Sequence, residues 1–280
     1  MPNFRPYHGT PRKTASHCKM DPFHLTIIFA AGALAGLMNS IAGGGTIVTF
    51  PALILAGIPS IPANATSTVA LLPSALGYTY GYRKNIPAVW NWIKLLAIVS
   101  LAGGFLGGLL LVHTPPAVFD WLVPFLILLA TGLFTANNFF QKLIKPPAPG
   151  NATRAESRHW TTGIVIFQFF ISVYGGYFGA GIGILMLATL GMMGMADIHQ
   201  MNTVKGILGF LINIVAALYF AIAGLVNWPA AIVMAIGSMI GGYTGAALAQ
   251  RIPQKSVRWI ITGIGAVLTL VMFVKQMKKL

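Results

Sequence analysis

The chain has 280 residues, 56% of them hydrophobic and only 8% charged, where a soluble domain carries about 25% charged residues. That shortfall excludes an ordinary water-soluble globule and points to a polytopic membrane chain. The charges are lopsided, 18 Lys+Arg against 4 Asp+Glu, yet they lie between apolar runs or at the ends, where they set topology; no soluble basic domain exists to bind nucleic acid.

Residues 1–22 form a basic tail carrying Arg5, Arg12, Lys13 and Lys19. The apolar run that follows shows no clear cleavage site before a glycine break, so it reads as a retained first span. A spanning helix needs about 20 apolar residues. One is expected over 24–42. Residues 46–57 are too short to cross and read as a half-helix after Gly43-Gly44-Gly45, with Thr46 where an N-cap hydroxyl would sit. Further spans are expected over 63–82, 88–112 and 118–140. Gly103/Gly107 and Gly104/Gly108 have the spacing of close helix packing.

A Pro-rich, polar linker is expected over 141–159. It separates a first transmembrane repeat, 23–140, from a second, 160–280. The second half repeats the plan. A span over 160–180 leads to the GAGIG run at Gly179–Gly183, then a short segment ending near Gly191–Gly194. Spans over 202–224, 228–250 and 257–274 complete it. Thr66 corresponds to Thr203, and Gly43–Gly45 to Gly179-Ala180-Gly181. The fold expected is therefore all-α and membrane-embedded, with two repeats, about eight spanning helices and two short broken helices. Basic residues swap between equivalent loops: Arg83 and Lys84 in the first half, Arg251, Lys255 and Arg258 in the second. Such a swap means inverted repeats. It places those loops and the linker in the cytoplasm, although both basic termini pull the other way.

Irregular backbone at bilayer depth is tolerated only where protein or a water-filled cavity surrounds it. Paired Gly-interrupted short segments are the sequence mark of a transporter's binding site. A helix N-terminus carries about half a positive charge and unpaired N–H groups, so it attracts anions. Two such ends, at Gly43–Thr46 and at Gly179–Gly183, are expected to converge near the midplane and offer backbone N–H groups. Lys205 lies in an apolar segment, NTVKGILGFLINIVAALYF. A lysine there is costly unless it is paired or faces water; Asp197, snorkelling to the interface, or an anionic substrate would each satisfy it. Asn39, Asn64, Asn202 and Asn213 are amides at membrane depth, equally suited to joining helices and to holding a ligand. No carboxylate falls in mid-membrane, which argues against a carboxylate cation site or an acidic proton relay. No HExxH, P-loop or GxSxG motif occurs, so no catalytic residue, metal or cofactor is expected.

GLMNSIAGGGTIVTFPALILAGIPSIPANATSTVALLPSALGY and NTVKGILGFLINIVAALYFAIAGLVNWPAAIVMAIGSMIGGYTGA resemble the two repeats of the sulfite exporter TauE/SafE family of permeases. The similarity covers about residues 24–275. The glycine run with NATST, and Lys205 and Asn213 of KGILGFLIN, carry the match; Ala180 departs from an unbroken glycine run in the second half. The resemblance implies a multi-pass inner-membrane permease moving small sulfur-containing or organic anions such as sulfite or sulfoacetate. Alternating access would rock one repeat against the other. Expected to touch substrate are Asn39, Gly43, Gly44, Gly45, Thr46, Asn64, Thr66, Gly179, Gly181, Asn202, Thr203, Lys205 and Asn213. An anion channel using the same residues, or a membrane receptor without flux, are the alternatives. The bilayer and a small anion are the partners implied; the oligomeric state is open.

Overall fold

The computed structural model describes residues 21–143 and 158–248, apart from Ala42, Tyr82, Gly194 and Ala196, together with Gly263. Among the described residues every element is helical. The order is α1 (Pro22–Ile41), α2 (Thr46–Leu55), α3 (Ser60–Gly81), α4 (Ile86–His113), α5 (Pro116–Leu143), α6 (Arg158–Tyr177), α7 (Ile182–Met192), α8 (Ile198–Ile222) and α9 (Trp228–Leu248), with a single 3₁₀ turn at Arg83–Asn85. The basic tail as far as Met20, residues 144–157 of the expected linker and nearly all of the span expected over 257–274 fall outside the described residues.

Helix boundaries follow the local chemistry. The short α2 and α7 begin after positive-φ glycines, Gly43 and Gly44 (φ 86° and 94°) and Gly179 and Gly181 (φ 79° and 78°), a conformation L-residues avoid. α5 runs on through Leu143, past the expected linker start, because Gln141-Lys142-Leu143 are good helix formers. Among the described residues, four segments are long and apolar enough to cross a membrane: Pro22–Ser40, Arg83–His113, Pro116–Leu133 and Ile198–Ile222. Against an expectation of about eight, α3 has the length, but SIPANATST dilutes its hydropathy; the apolar stretches in α2, α6 and α7 are shorter.

Packing crosses between the two halves of the chain. α1 lies along α9, and α4 along α6. Glycine builds both seams. A Cβ on Gly32 or Gly36 would overlap the carbonyl of Met234 or Ser238, and one on Gly241 that of Ala33. A Cβ on Gly103 would meet Phe169 O at 2.8 Å, and one on Gly107 would overlap Val173 O. Small residues let helix backbones approach this closely, the role their spacing suggests. The contacts advance in step along both helices, so each pair is parallel. α3 packs on α9 and α8 on α4, again in parallel. Ser238 Oγ donates to Ala70 O at 2.7 Å, and Gly104 and Gly108 face Ile212 and Ala216.

Two triplets result, α1–α3–α9 and α4–α6–α8, each drawing helices from both halves. Where they meet, α3 and α8 run antiparallel. Thr66, early in α3, accepts a 2.9 Å hydrogen bond from Asn227 N, just past the end of α8; the 3₁₀ turn after α3 packs on α8 as well.

Candidate functional site

The two glycine turns meet between the triplets. A Cβ on Gly43 would stand 3.4 Å from Gly183 Cα, and one on Gly179 would stand 3.9 Å from both Thr46 Oγ1 and Asn213 Oδ1. The N-termini of α2 and α7 therefore converge. Gly45, and not Thr46, occupies the N-cap of α2; Thr46 is the first helical residue. The first turn is held by Asn39, whose Oδ1 accepts from Gly45 N at 2.9 Å, and by Gly43 N donating to Met38 O at 3.0 Å. The second is held by Tyr174, whose hydroxyl donates to Ala180 O at 2.7 Å.

Around this junction lies a cavity of about 60 Å³. A single water needs about 10–15 Å³ on that measure, so there is room for several waters or one compact polyatomic ion. Its walls come from five elements. The turn before α2 contributes Gly43–Gly45, followed by Thr46; α3 contributes Thr68, Leu71 and Ala75; Gly179, Ile182, Gly183 and Met186 line it from the α7 side; α8 adds Lys205, Gly209 and Asn213; α1 adds Asn39. On α8 the three lie four residues apart, one helical face.

Lys205 contributes the one charged side chain of this lining. It is buried, 4% exposed, and its Nζ donates to Asn202 Oδ1 at 2.8 Å, one turn back. Asp197, the acidic partner the sequence offers, lies about 12 Å away along the axis. It caps α8 instead, accepting from His199 N at 2.8 Å. Asn213 Nδ2 donates to Gly209 O at 2.8 Å. The lining thus joins one ammonium, two amides, two hydroxyls and two helix N-termini, with no carboxylate. Among the described residues no three His, Cys, Asp or Glu side chains gather as a metal site would need.

Of the thirteen residues expected to touch substrate, the cavity gathers Asn39, Gly43, Gly44, Gly45, Thr46, Gly179, Lys205 and Asn213. Five lie off it. Thr66 anchors the start of α9 through Asn227. Gly181 faces Ala130 of α5. Thr203 Oγ1 donates to His199 O within α8. Asn202 reaches the cavity only through Lys205. Asn64 lies one turn before Thr68, its Nδ2 donating to Tyr177 O at 2.8 Å. Gly183, in the GAGIG run, lines the cavity as expected of that run, and Thr68 and Gly209 line it without being among the expected contacts. The signal for these two was positional: Thr68 is four residues after Asn64, and Gly209 four after Lys205.

Apolar helices around a polar, single-cation cavity define a polytopic membrane protein with a polar internal site. The chain belongs to the sulfite exporter TauE/SafE family, whose family model matches residues 28–272. It is 28% identical over 257 residues to a probable membrane transporter protein of Haemophilus influenzae, spanning 90% of this chain and 95% of that one. To the probable membrane transporter protein YfcA of Escherichia coli K12 it is 27% identical over 252 residues, 89% of this chain and 90% of the other. To the probable membrane transporter protein YunE of Bacillus subtilis it is 24% identical, covering 84% and 92%. No solved structure matches.

Proposed function

We propose that this membrane transporter carries a small anion, sulfur-containing or organic, by alternating access around the cavity at the two glycine turns. The observation that carries the reading is the buried Lys205 ammonium, hydrogen-bonded to a neutral Asn202 and set in a lining without carboxylate. A buried cation is costly unless an anion or good donor–acceptor geometry offsets it. Substrate oxygens would replace that balance, taking hydrogen bonds from Lys205, Thr46 and the N–H groups at the starts of α2 and α7, beside Thr68, whose Oγ1 donates to Asn64 O at 3.0 Å. The helix dipoles add favourable potential at the same point.

The two halves enter this reading as inverted repeats in the cell membrane. What supports inversion is direction: α1 and α3 run with α9, while their counterparts α6 and α8 run with α4. Glycine seams tie α1 to α9 and α4 to α6, so the bodies that rock are the mixed triplets rather than the halves themselves.

The test is uptake of labelled sulfite, sulfoacetate and a plain carboxylate into proteoliposomes, with wild type and Lys205→Ala. Saturable flux and counterflow of one anion, lost in folded Lys205→Ala, supports the reading and names the class. Non-saturating flux without counterflow makes the protein a channel. Binding with no flux of any anion makes it a receptor. Full flux in Lys205→Ala removes the lysine from the site.

A further inference from the structure

Four aromatic rings cluster next to the residues that line the cavity. Phe50 and Phe119 stand 6.4 Å apart, Phe50 and Phe178 5.5 Å, and Phe119 and Tyr177 5.8 Å, most of them edge to face. Phe50, Phe119 and Phe178 are fully buried. Their place along the chain puts them immediately beyond the lining. Phe50 lies one turn after Thr46 on α2, and Phe178 directly precedes Gly179. On the far side of the rings, Tyr177 OH lies 3.3 Å from Thr114 Oγ1, between α4 and α5, where His113 and Pro115 are exposed. The rings therefore separate the cavity from the protein face that carries the α4–α5 turn.

Behind them is an unusual polar atom. Asn64 is completely buried, and its Oδ1 has no hydrogen-bond partner among the described residues. A buried polar atom left this way costs about 1–3 kcal/mol and calls for an explanation. Its Nδ2 bridges to Tyr177 O, which links α3 of one triplet to α6 of the other across the boundary along which they would part. The α3 lining, from Ala75 back to Thr68, points at Asn64 as its next polar step.

In the opposite direction the described packing is aliphatic, with Leu187, Leu190, Met193 and Met201 buried together. Phe50 is the fifth residue of α2. The fifth residue of α7 is Met186, a flexible side chain that lines the cavity. On α3 and α8 the lining reaches toward the Arg83–Asn85 turn, through Ala75 and Lys205.

We propose that Phe50, Phe119, Tyr177 and Phe178 form the closed gate of the transport path, and that Asn64 Oδ1 is the acceptor its opening uncovers for water or for a protonated substrate oxygen. A dry ring cluster blocks an ion by denying it hydration. The proposal rests on the transport reading for its purpose, but its test does not depend on knowing the substrate.

The experiment uses the full chain carrying Cys18→Ser and Asn64→Cys in right-side-out and inverted vesicles. A membrane-impermeant maleimide is applied from each face. The reporter should be protected from the α4–α5 face. In Phe50→Ala/Phe178→Ala its labelling from that face should rise about tenfold or more, as the open population grows by that factor. Thr68→Cys, one turn nearer the cavity, replaces the reporter if Asn64→Cys fails to fold. Unchanged protection in a monodisperse, ring-deleted protein overturns the gate, as does rapid labelling from that face with all rings present. Gated labelling in a protein that moves none of the three anions leaves the gate standing and removes the substrate assignment. Saturable flux with ungated labelling does the reverse.

Discussion

Gly43 and Gly183 stand backbone against backbone, with a Cβ on Gly43 only 3.4 Å from Gly183 Cα. No side chain separates the two turns, so both helix starts act on one small volume. Gly43 also holds a φ of 86°, which costs an L-residue about 1–2 kcal/mol. Gly43→Ala should therefore lower stability by that amount and raise the KM for the carried anion. A thermal unfolding series read beside initial-rate flux checks both; an unaltered Tm would show that the turn relaxes freely.

Lys205 and Asn202 make a second, sharper comparison. Asn202→Asp places a carboxylate where a neutral amide now accepts from Nζ at 2.8 Å. The new ion pair should keep the fold and cancel the site's one fixed charge. Apparent anion affinity should fall about tenfold or more, equivalent to at least about 1.4 kcal/mol. Equilibrium binding of labelled sulfite to purified protein measures it, and undiminished affinity would detach the lysine from substrate.

Thr66 and Thr68 differ by two positions and should separate structure from site. Thr66→Ala removes the acceptor for the buried Asn227 N–H, a loss of about 1–3 kcal/mol in stability with KM unchanged. Thr68→Ala should raise KM and leave Tm nearly alone. Should both variants shift the same parameter, the division drawn here between anchor and lining fails.

Glycines in the seams are predicted to be intolerant, and one elsewhere tolerant. Gly241→Val would drive a side chain into Ala33 O, where overpacking typically costs about 1–3 kcal/mol and backbone has little room to give. Gly132→Ala meets nothing within 4 Å and should gain up to about 1 kcal/mol from helix propensity. Size-exclusion profiles and melting curves of the two variants decide the matter.

Much of this was legible in advance where local chemistry rules. Glycine runs marked the starts of α2 and α7 to within a residue or two, and apolar length set α4, α5 and α8. The residues that fill the cavity were legible where a break or a buried charge announced them, as at Gly43 and Lys205. Thr66 was not, because a threonine beside a break reads alike as ligand contact or as anchor for a distant amide. Gly181 looked like Gly179 in sequence, yet it faces α5. The partnership of α1 with α9 is hidden for a different reason. It joins residues some 200 positions apart, and a Gly-rich helix face does not say which other face it fits.

That long-range seam bears on how the chain is made. α1 and α3 leave the ribosome long before α9 exists, and domains ordinarily fold in order of synthesis. Here the early helices must wait in the bilayer with their glycine faces uncovered until Gly241 has been added. A nascent chain halted after residue 143 should be a loose set of helices open to quality-control proteases, and protection should arrive late and all at once.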